Sequence, residues 1–156
     1  MNEGRELDEK TVLLELKERL GSVLIEARSI GKRRVLVTVD RDHYKVTVLA
    51  LKELGFDYVD AITGLDAGDH LEVITHLGRK VSVSIKAIVP RDDPRIPSII
   101  DLYPGVVFYE RETWEMFGIV FEGNPRLTRT FLPDDWPQGV YPLRKDYDAR
   151  RPEPAR

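Results

Sequence analysis

Prolines punctuate the chain from Asn124 to its end, and this pattern constrains the fold more than any other feature of the sequence. Six of the ten prolines lie there, and each removes a backbone hydrogen-bond donor and fixes φ. We therefore expect neither a helix nor a sheet interior in this part. It also carries large apolar side chains, which disordered segments usually lack: Phe131, Leu132, Trp136, Tyr141, Leu143 and Tyr147. Burial of such side chains stabilises by about 1.5–3 kcal/mol each, so we expect this tail to cover another surface.

Composition excludes several classes of protein. The chain has no cysteine, so its own residues form no disulfide, thiolate metal site or iron–sulfur ligand set. Its longest stretch without a charged residue is eight residues, whereas a membrane-spanning helix needs about 18 apolar residues. A net charge of −3 predicts no general affinity for nucleic acid. The opening MNEGRELDEK lacks the apolar core of a secretory signal, which indicates a cytoplasmic protein. The scarcity of Asn and Gln favours a thermophilic source.

Two amphipathic patterns in the first third of the chain predict helices. The first helix is expected to begin at an Asp8 N-cap and to end at Gly21. The second is expected to begin at an Asp42 N-cap and to end at Gly55. Its expected buried face consists of Val46, Leu49, Ala50 and Leu54. Between the two helices, the β-branched run 35–39 predicts a strand.

The hydrophobic period changes to two after the second helix. Residues 58–63, 70–77 and 81–89 predict three strands. In the second stretch Leu71, Val73 and Leu77 alternate with polar groups, as do Val81, Val83 and Ile85 in the third. The connections between them are short and contain glycine. Because a parallel crossover needs a dozen or more residues, we expect these strands to be antiparallel neighbours.

Two further helices are predicted before the tail. A short one is expected to begin at Pro97 or Ser98 and to run through Tyr103. A longer one spans 105–117 and is capped by Gly118. The expected buried face of the longer helix consists of Val106, Tyr109, Thr113, Met116 and Phe117.

The predicted fold class is α+β. A small, mainly antiparallel or mixed sheet is packed with about three helices in a domain covering residues 1–123, and an extended, proline-rich tail follows in residues 124–156.

A cluster of charged residues on the longer helix is the first candidate chemical site. It consists of Glu110, Arg111, Glu112 and Glu115. Paired carboxylates can act as acid and base when their surroundings separate their pKa values. Adjacent helical positions point in different directions, however, and Arg111 with Glu115 fits an ordinary i,i+4 ion pair. A structural or interface role is the better interpretation of the cluster.

A second candidate lies on one face of a predicted strand, where His70, Glu72 and His76 alternate. These residue types ligate metals, but residues two and four apart on one strand are too distant to converge on an ion by themselves. The neighbouring stretch GLDAGDH, residues 64–70, fits neither a phosphate loop nor a calcium loop. We interpret it as a hairpin turn.

Three blocks of sequence near the end of the chain carry a family resemblance. They are YERETWEMFGIVFEGNPRL (109–127), RTFLPDDW (129–136) and PLRKDY (142–147), in this order and at short spacing. Together they resemble the signature of the 30-kDa subunit of respiratory complex I. They equally resemble the corresponding small subunit of archaeal membrane-bound hydrogenases and related energy-converting complexes. The chain departs from the pattern at Asn124, where many respiratory members have histidine, and in the PQGVY insertion between the last two blocks.

The resemblance implies a scaffold rather than a catalyst. Members of the family sit in the hydrophilic arm of an ion-pumping oxidoreductase, bind no cofactor, and wrap their tail around a hydrogenase-like large subunit. No catalytic, cofactor-binding or metal-binding residue is then expected in this chain. Iron–sulfur clusters, or a nickel–iron centre, would belong to the partners, which are the large subunit and the iron–sulfur cluster subunits. The chain would be a peripheral subunit on the cytoplasmic face of the membrane.

Length, missing cysteine and thermophilic composition favour one branch of this family. They favour an archaeal ferredoxin-linked hydrogenase or a sulfur-reducing relative over an NADH:quinone oxidoreductase.

The same resemblance implies which residues bind the partner. Glu110, Arg111 and Glu112 would fix the longer helix at the subunit junction, and Phe117 with Gly118 would turn the chain outward. The anchors in the tail would be Arg129, Leu132, Pro133, Asp134, Asp135, Trp136, Pro142, Leu143, Arg144, Lys145, Asp146 and Tyr147. Among them, the Arg144 guanidinium is best suited to a bidentate contact with a carboxylate.

An alternative function from a different class stays open at this point. The chain could be a small, independent acid–base enzyme that uses Glu112 with Asp134 or Asp135. The two aspartates could also bind a metal, although a turn with solvated or arginine-paired carboxylates explains them more simply.

Overall fold

A mixed sheet and three helices form the domain in the computed structural model, which describes residues 7–148 and 152–155. The α-helices of the described residues are α1 (Glu9–Leu20), α2 (Tyr44–Glu53) and α3 (Val107–Phe117). The strands are β1 (Glu26–Gly31), β2 (Arg34–Asp40), β3 (Tyr58–Asp66), β4 (His70–Gly78), β5 (Ser82–Pro90), β6 (Arg95–Pro97) and β7 (Val120–Glu122). Short 3-10 turns precede or follow the helices at Gly21–Val23, Arg41–His43 and Pro104–Val106. The α+β prediction is confirmed.

The main sheet has five strands in the order β1-β2-β5-β4-β3. The β3–β4 and β4–β5 pairs are antiparallel, as their short connections predict. The β2–β5 pair is parallel, because α2 and two further strands intervene in the chain between them. Both outer strands contain a register shift, between Ser29 and Gly31 in β1 and between Val59 and Ala61 in β3. Strand β1 is absent from the sequence prediction, because it is an edge strand with mostly exposed residues.

One face of the sheet forms the core with the helices. The alternate residues of β2, β4 and β5 that point to this face are buried together with helix residues. They include Val35, Val37, Leu71, Val73, Val83 and Ile85 from the sheet and Val12, Leu16, Val48 and Leu51 from α1 and α2. Helix α1 follows its prediction, since the Asp8 carboxylate accepts a 2.7 Å hydrogen bond from the Thr11 N–H at its first turn.

The prediction for α2 is wrong at its beginning and right for only half of its face, since Ala50 is buried and Leu54 half-buried. Asp42 lies in the preceding 3-10 turn, and the helix begins without a side-chain cap. Val46 and Leu49 are exposed, whereas Tyr44 and Thr47 are buried. Polar groups can face inward here because each has a partner. The Tyr44 hydroxyl lies 2.8 Å from Thr75 Oγ1, and the Thr47 hydroxyl donates to the backbone carbonyl of the residue four positions earlier. Burial raises the pKa of Tyr44.

The short helix predicted from Pro97 or Ser98 through Tyr103 is also wrong. Residues 95–97 instead form β6, which pairs in parallel with β7. The next backbone donors are taken by distant groups, because the Ser98 N–H bonds to the Glu122 carbonyl and the Ile99 N–H bonds to the Glu110 carboxylate. These contacts hold the segment in turns rather than in a helix.

Helix α3 ends as its sequence predicts. Gly118 adopts a left-handed conformation with φ of 74°, and its N–H bonds to the Trp114 carbonyl at 2.8 Å. The helix packs against β3, where Gly64 leaves room for the ring of Phe117. A Cβ atom at Gly64 would collide with that ring.

Replacement of this glycine tests the packing of α3. We expect Gly64→Ala to lower the free energy of unfolding by about 1–3 kcal/mol, because the added methyl overpacks the contact with Phe117. Urea denaturation of the purified chain measures the change. Gly105→Ala is the matched control, since a Cβ at Gly105 meets no atom within 4 Å. Equal stability of the two variants would contradict the packing described here.

Candidate partner interface: the tail and its carboxylate anchors

The tail, residues 124–156, contains no helix or strand in its described parts, 124–148 and 152–155. Its backbone donors are instead satisfied at a few points on the domain and in turns of its own. Two buried carboxylates, from Glu115 and Asp66, provide the main points of attachment.

Glu115 on α3 is the first attachment point. Its side chain is buried, with 3% of the residue surface exposed. Its carboxylate accepts hydrogen bonds from three consecutive backbone N–H groups: from Thr130 at 3.0 Å, Phe131 at 3.0 Å and Leu132 at 2.7 Å. A buried carboxylate needs such donors to offset its loss of water. The tail therefore bends around Glu115 at this point.

Arg111 does not pair with Glu115 as the helical spacing predicts. Its Nε donates to the Arg126 carbonyl at 2.9 Å and its Nη1 to Thr130 Oγ1 at 3.1 Å. Both acceptors belong to the tail. Arg111 and Glu115 thus bind the same segment of the tail. Arg111 donates to a carbonyl and a hydroxyl group of the segment, and Glu115 accepts from its backbone amides.

Glu110 holds the beginning of the tail from inside the domain. It is fully buried, and its carboxylate accepts hydrogen bonds from Ser98 Oγ at 2.6 Å, the Ile99 N–H at 3.1 Å and Asn124 Nδ2 at 3.0 Å. Burial raises the pKa of Glu110, and these three donors oppose the rise. Its carboxylate is enclosed by this chain, so any effect of Glu110 on a partner is indirect.

Asp66 at the end of β3 is the second attachment point. Its side chain is 2% exposed. One oxygen accepts from Arg91 Nη1 at 2.6 Å and the Gly68 N–H at 2.9 Å, and the other accepts from the Lys145 N–H at 2.8 Å. The Arg91 guanidinium holds the pKa of this carboxyl well below its ordinary value. The sequence pattern places Asp66 only in a hairpin turn and does not reveal this contact.

The tail also packs against the end of α3. Gly118 lies against the Tyr141 ring, and a Cβ at Gly118 would collide with that ring. The Arg144 guanidinium stacks 4.5 Å from the centre of the same ring, and its Nε donates to the Phe117 carbonyl at 2.7 Å. Within this chain, Arg144 therefore satisfies a helix-end carbonyl rather than a carboxylate.

A cleft of about 440 Å³ lies between α3 and the tail. Its apolar lining includes Trp114, Leu132, Trp136, Pro137 and Tyr141. The Trp136 indole N–H donates to the Val140 carbonyl at 2.8 Å, which closes the turn that forms one wall. The cleft is wide enough to accept a side chain from another protein.

The residues predicted to bind a partner differ in exposure. The buried ones are Glu110, Phe117 and Gly118. The half-buried ones are Arg111, Arg129, Leu132, Trp136, Pro142, Arg144 and Tyr147. The exposed ones are Glu112, Pro133, Asp134, Asp135, Leu143, Lys145 and Asp146. The structure thus divides the set into residues that shape the interface region from within and residues that a partner can reach.

The carboxylates of the alternative acid–base enzyme are all on the surface. Glu112, Asp134 and Asp135 are exposed, whereas catalytic carboxylates are usually enclosed so that their pKa values separate. No observation favours this alternative.

The histidine-bearing strand face carries a local hydrogen-bond network. His70 Nε2 lies 3.0 Å from Glu72 Oε1, and His76 Nδ1 lies 2.8 Å from Ser84 Oγ. Burial lowers the pKa of His70, but hydrogen bonds to Glu72 and Asp69 outweigh it and raise the pKa above its ordinary value. Among the described residues, no group of three or more His, Asp or Glu side chains is placed to hold a metal ion. No helix in the described ranges has the length and hydropathy to cross a membrane.

Two solved structures share the fold of this chain. A chain in the structure of the membrane-bound sulfane sulfur reductase, an archaeal respiratory membrane complex, matches with a TM-score of 0.80 and 28% identity. The match covers 90% of this chain and 85% of that one. A trypsin-resistant fragment of Nqo5 matches with a TM-score of 0.64 and 29% identity, over 74% of this chain and 96% of the fragment. The fold is that of a small α+β subunit of such complexes.

The sequence comparison identifies the family. Residues 37–153 match the family described as the 30 Kd subunit of the respiratory-chain NADH dehydrogenase, and the chain belongs to it. The C subunit of the F(420)H(2) dehydrogenase of Methanosarcina mazei is 36% identical, over 92% of this chain and 94% of that protein. The beta subunit of the membrane-bound hydrogenase of Pyrococcus furiosus is 37% identical, over 84% of this chain and 81% of that protein. The C subunit of the NADH-quinone oxidoreductase of Acidothermus cellulolyticus is 35% identical, over 79% of this chain and 68% of that protein. The resemblance in the sequence blocks is confirmed.

The Asp66 attachment predicts an acid dependence of stability. The folded pKa of Asp66 is depressed below its ordinary value of 3.8. Its contribution is therefore complete above that pH and is lost as the pH falls toward the folded pKa. We expect Asp66→Asn to lower the free energy of unfolding at pH 7 by about 1–3 kcal/mol, because bonds to a charged group weaken. Below pH 3.8 the difference between variant and wild type should shrink.

Urea denaturation across this pH range measures the effect. Asp92→Asn, which changes an exposed carboxylate in the turn after β5, is the control. A constant difference between Asp66→Asn and wild type from neutral to strongly acidic pH would show that the ionised carboxylate is not the source of the stability.

Proposed function

We propose that this chain is a noncatalytic subunit in the hydrophilic arm of a membrane-bound, ion-pumping oxidoreductase, where it scaffolds a hydrogenase-like large subunit. The observation that carries the proposal is that the family match, residues 37–153, extends through most of the tail. The tail also exposes two large apolar side chains, Phe131 and Leu143. Exposed apolar side chains of this kind mark surfaces that other proteins cover.

We favour an archaeal ferredoxin-linked hydrogenase or a sulfur-reducing relative over an NADH:quinone oxidoreductase. The hydrogenase subunit and the sulfane sulfur reductase chain support this choice, and the F(420)H(2) dehydrogenase subunit supports an archaeal complex. The archaeal F(420)H(2) dehydrogenase subunit is matched over 94% of its length, and the archaeal hydrogenase subunit over 81%. The bacterial NADH-quinone subunits are longer, since the match covers 68% and 51% of two of them. The sulfane sulfur reductase chain is similar over 90% of this chain. The matched region therefore spans a larger share of these archaeal relatives than of these bacterial ones.

The proposed contacts lie in residues 110–147. Glu110, Phe117 and Gly118 would act from within by fixing α3 and the start of the tail. The exposed and half-buried members of the predicted set would touch the large subunit, with the cleft beside α3 accepting one of its side chains. Cofactors would reside in the partners, as iron–sulfur clusters or a nickel–iron centre. The chain would lie on the cytoplasmic face of the membrane without spanning it.

Purification from native membranes tests this function. A tagged full-length chain should co-purify with a hydrogenase-like large subunit and iron–sulfur subunits, identified by mass spectrometry of the detergent-solubilised complex. A chain ending at Thr128 keeps the Asn124 contact with Glu110 but lacks the rest of the tail. We expect it to melt cooperatively and to recover at least about tenfold less large subunit, which corresponds to ~1.4 kcal/mol of binding.

Two results would contradict the proposed function. One is recovery of the full-length chain as a free monomer from membranes in which the complex is intact. The other is undiminished recovery of the large subunit by the truncated chain.

A further inference from the structure

The tail is attached to its own domain through its backbone. Glu115 accepts hydrogen bonds from three consecutive amides of the tail, and Asp66 accepts one from Lys145. The two attachment points are thus separated by more than a dozen residues of tail, and each belongs to a different element of the domain. A third backbone contact joins the Leu143 N–H to the Met116 carbonyl at 3.2 Å.

The buried Glu115 carboxylate depends on hydrogen-bond donors that the tail provides. As whole residues, Glu115 is 3% exposed and Asp66 is 5% exposed, and carboxylates this deeply buried require hydrogen-bond donors. For Glu115 the donors all come from the tail. Charge-assisted bonds of this type are roughly twice as strong as neutral ones. If the tail detached, the Glu115 carboxylate would have to regain water. Because hydrogen bonds to a charged group are net stabilising even against this rehydration, we expect the attachment to form without any other protein.

The attached backbone directs two apolar side chains into solvent. Phe131 donates its N–H to Glu115, yet 61% of the residue is exposed. Leu143 donates its N–H to Met116, yet 56% of it is exposed. In contrast, Leu132 and Tyr141 turn toward α3 and line the cleft. The same short segments thus hold one set of side chains inward and present the other set outward.

We propose that Glu115 and Asp66 are positioning residues that hold the tail in its binding shape before assembly, and that the tail presents Phe131 and Leu143 to apolar pockets of a protein partner. The identity of that partner rests on the proposed function. A segment ordered in advance loses less conformational entropy on binding. The tail is in this view a preformed strap rather than a disordered segment that folds on its target.

Hydrogen exchange of the isolated full-length chain tests the first half of the proposal. Without any partner, the amides of Thr130, Phe131, Leu132 and Lys145 should exchange at least about tenfold more slowly than in an unstructured peptide. Exchange of these amides at unstructured rates, while the sheet amides stay protected, would overturn the proposal.

Glu115→Gln tests whether the carboxylate is responsible. We expect exchange at residues 130–132 to accelerate at least about tenfold while the amides of the sheet keep their rates. Glu112→Gln, an exposed carboxylate on the same helix, is the matched control, and Glu115→Asp should restore part of the protection. Equal rates in Glu115→Gln and Glu112→Gln would remove Glu115 from its assigned role. If Glu115→Gln does not fold, Asp66→Asn gives the same test at Lys145.

The second half is tested in the complex purified from membranes. Phe131→Ala and Leu143→Ala should each reduce recovery of the large subunit at least about tenfold, with exchange of the isolated chains unchanged. Leu14→Ala is the control, because Leu14 is 57% exposed on α1 and distant from the tail in sequence. Recovery equal to that of the control would overturn the role of the two side chains.

The two experiments separate this inference from the proposed function. A protected tail in a chain that brings no partner from membranes would refute the function and support the positioning by Glu115 and Asp66. An unprotected tail in a chain that still recovers the large subunit would support the function and refute the preformed strap.

Discussion

A buried carboxylate needs hydrogen-bond donors to offset its loss of water, and this constraint organises the irregular part of the molecule. Glu110, Glu115 and Asp66 are all nearly inaccessible to solvent. Each is satisfied mainly by groups from segments that are distant in the chain, as in the 79-residue separation between Asp66 and Lys145. The sheet and helices satisfy their own backbone, whereas the turns after β6 and the tail take their shape from these acids. Where prolines prevent regular secondary structure, hydrogen bonds to these three carboxylates hold the backbone in place.

Neighbouring residues of the charged cluster on α3 have different structural roles. A helix rotates by about 100° per residue, so Glu110, Arg111 and Glu112 point in three directions. The first is enclosed by the domain, the second reaches the tail, and the third faces solvent. The cluster of Glu110, Arg111 and Glu112 has the residue types of a catalytic pair, but its first two members make contacts within this chain. Of the three, only Glu112 is exposed to solvent. This agrees with a family whose relatives are named as subunits of larger oxidoreductases.

Regular elements with a clean period were predictable from the sequence, whereas contacts between distant segments were not. Strands β4 and β5 follow their patterns because local alternation determines which side chains are buried. The predicted buried face of helix α3 is wrong at Tyr109, which is exposed, and the helix buries Glu110 and Glu115 as well. The face of α2 also departs from its pattern, because Tyr44 and Thr47 find partners that only the folded core provides. The inward turn of Glu115 likewise depends on amides 15 to 17 residues away. The three sequence blocks identified the family without revealing which of their residues are enclosed.

The register shifts in the two outer strands have a consequence for contacts between copies of this chain. An uninterrupted edge strand offers a row of unpaired backbone groups to any neighbouring copy. Here both borders of the sheet, β1 and β3, are irregular, and charged Glu26 and Arg28 stand on the exposed border strand. Strand-by-strand polymerisation of copies of this chain through the borders of its sheet is thereby disfavoured.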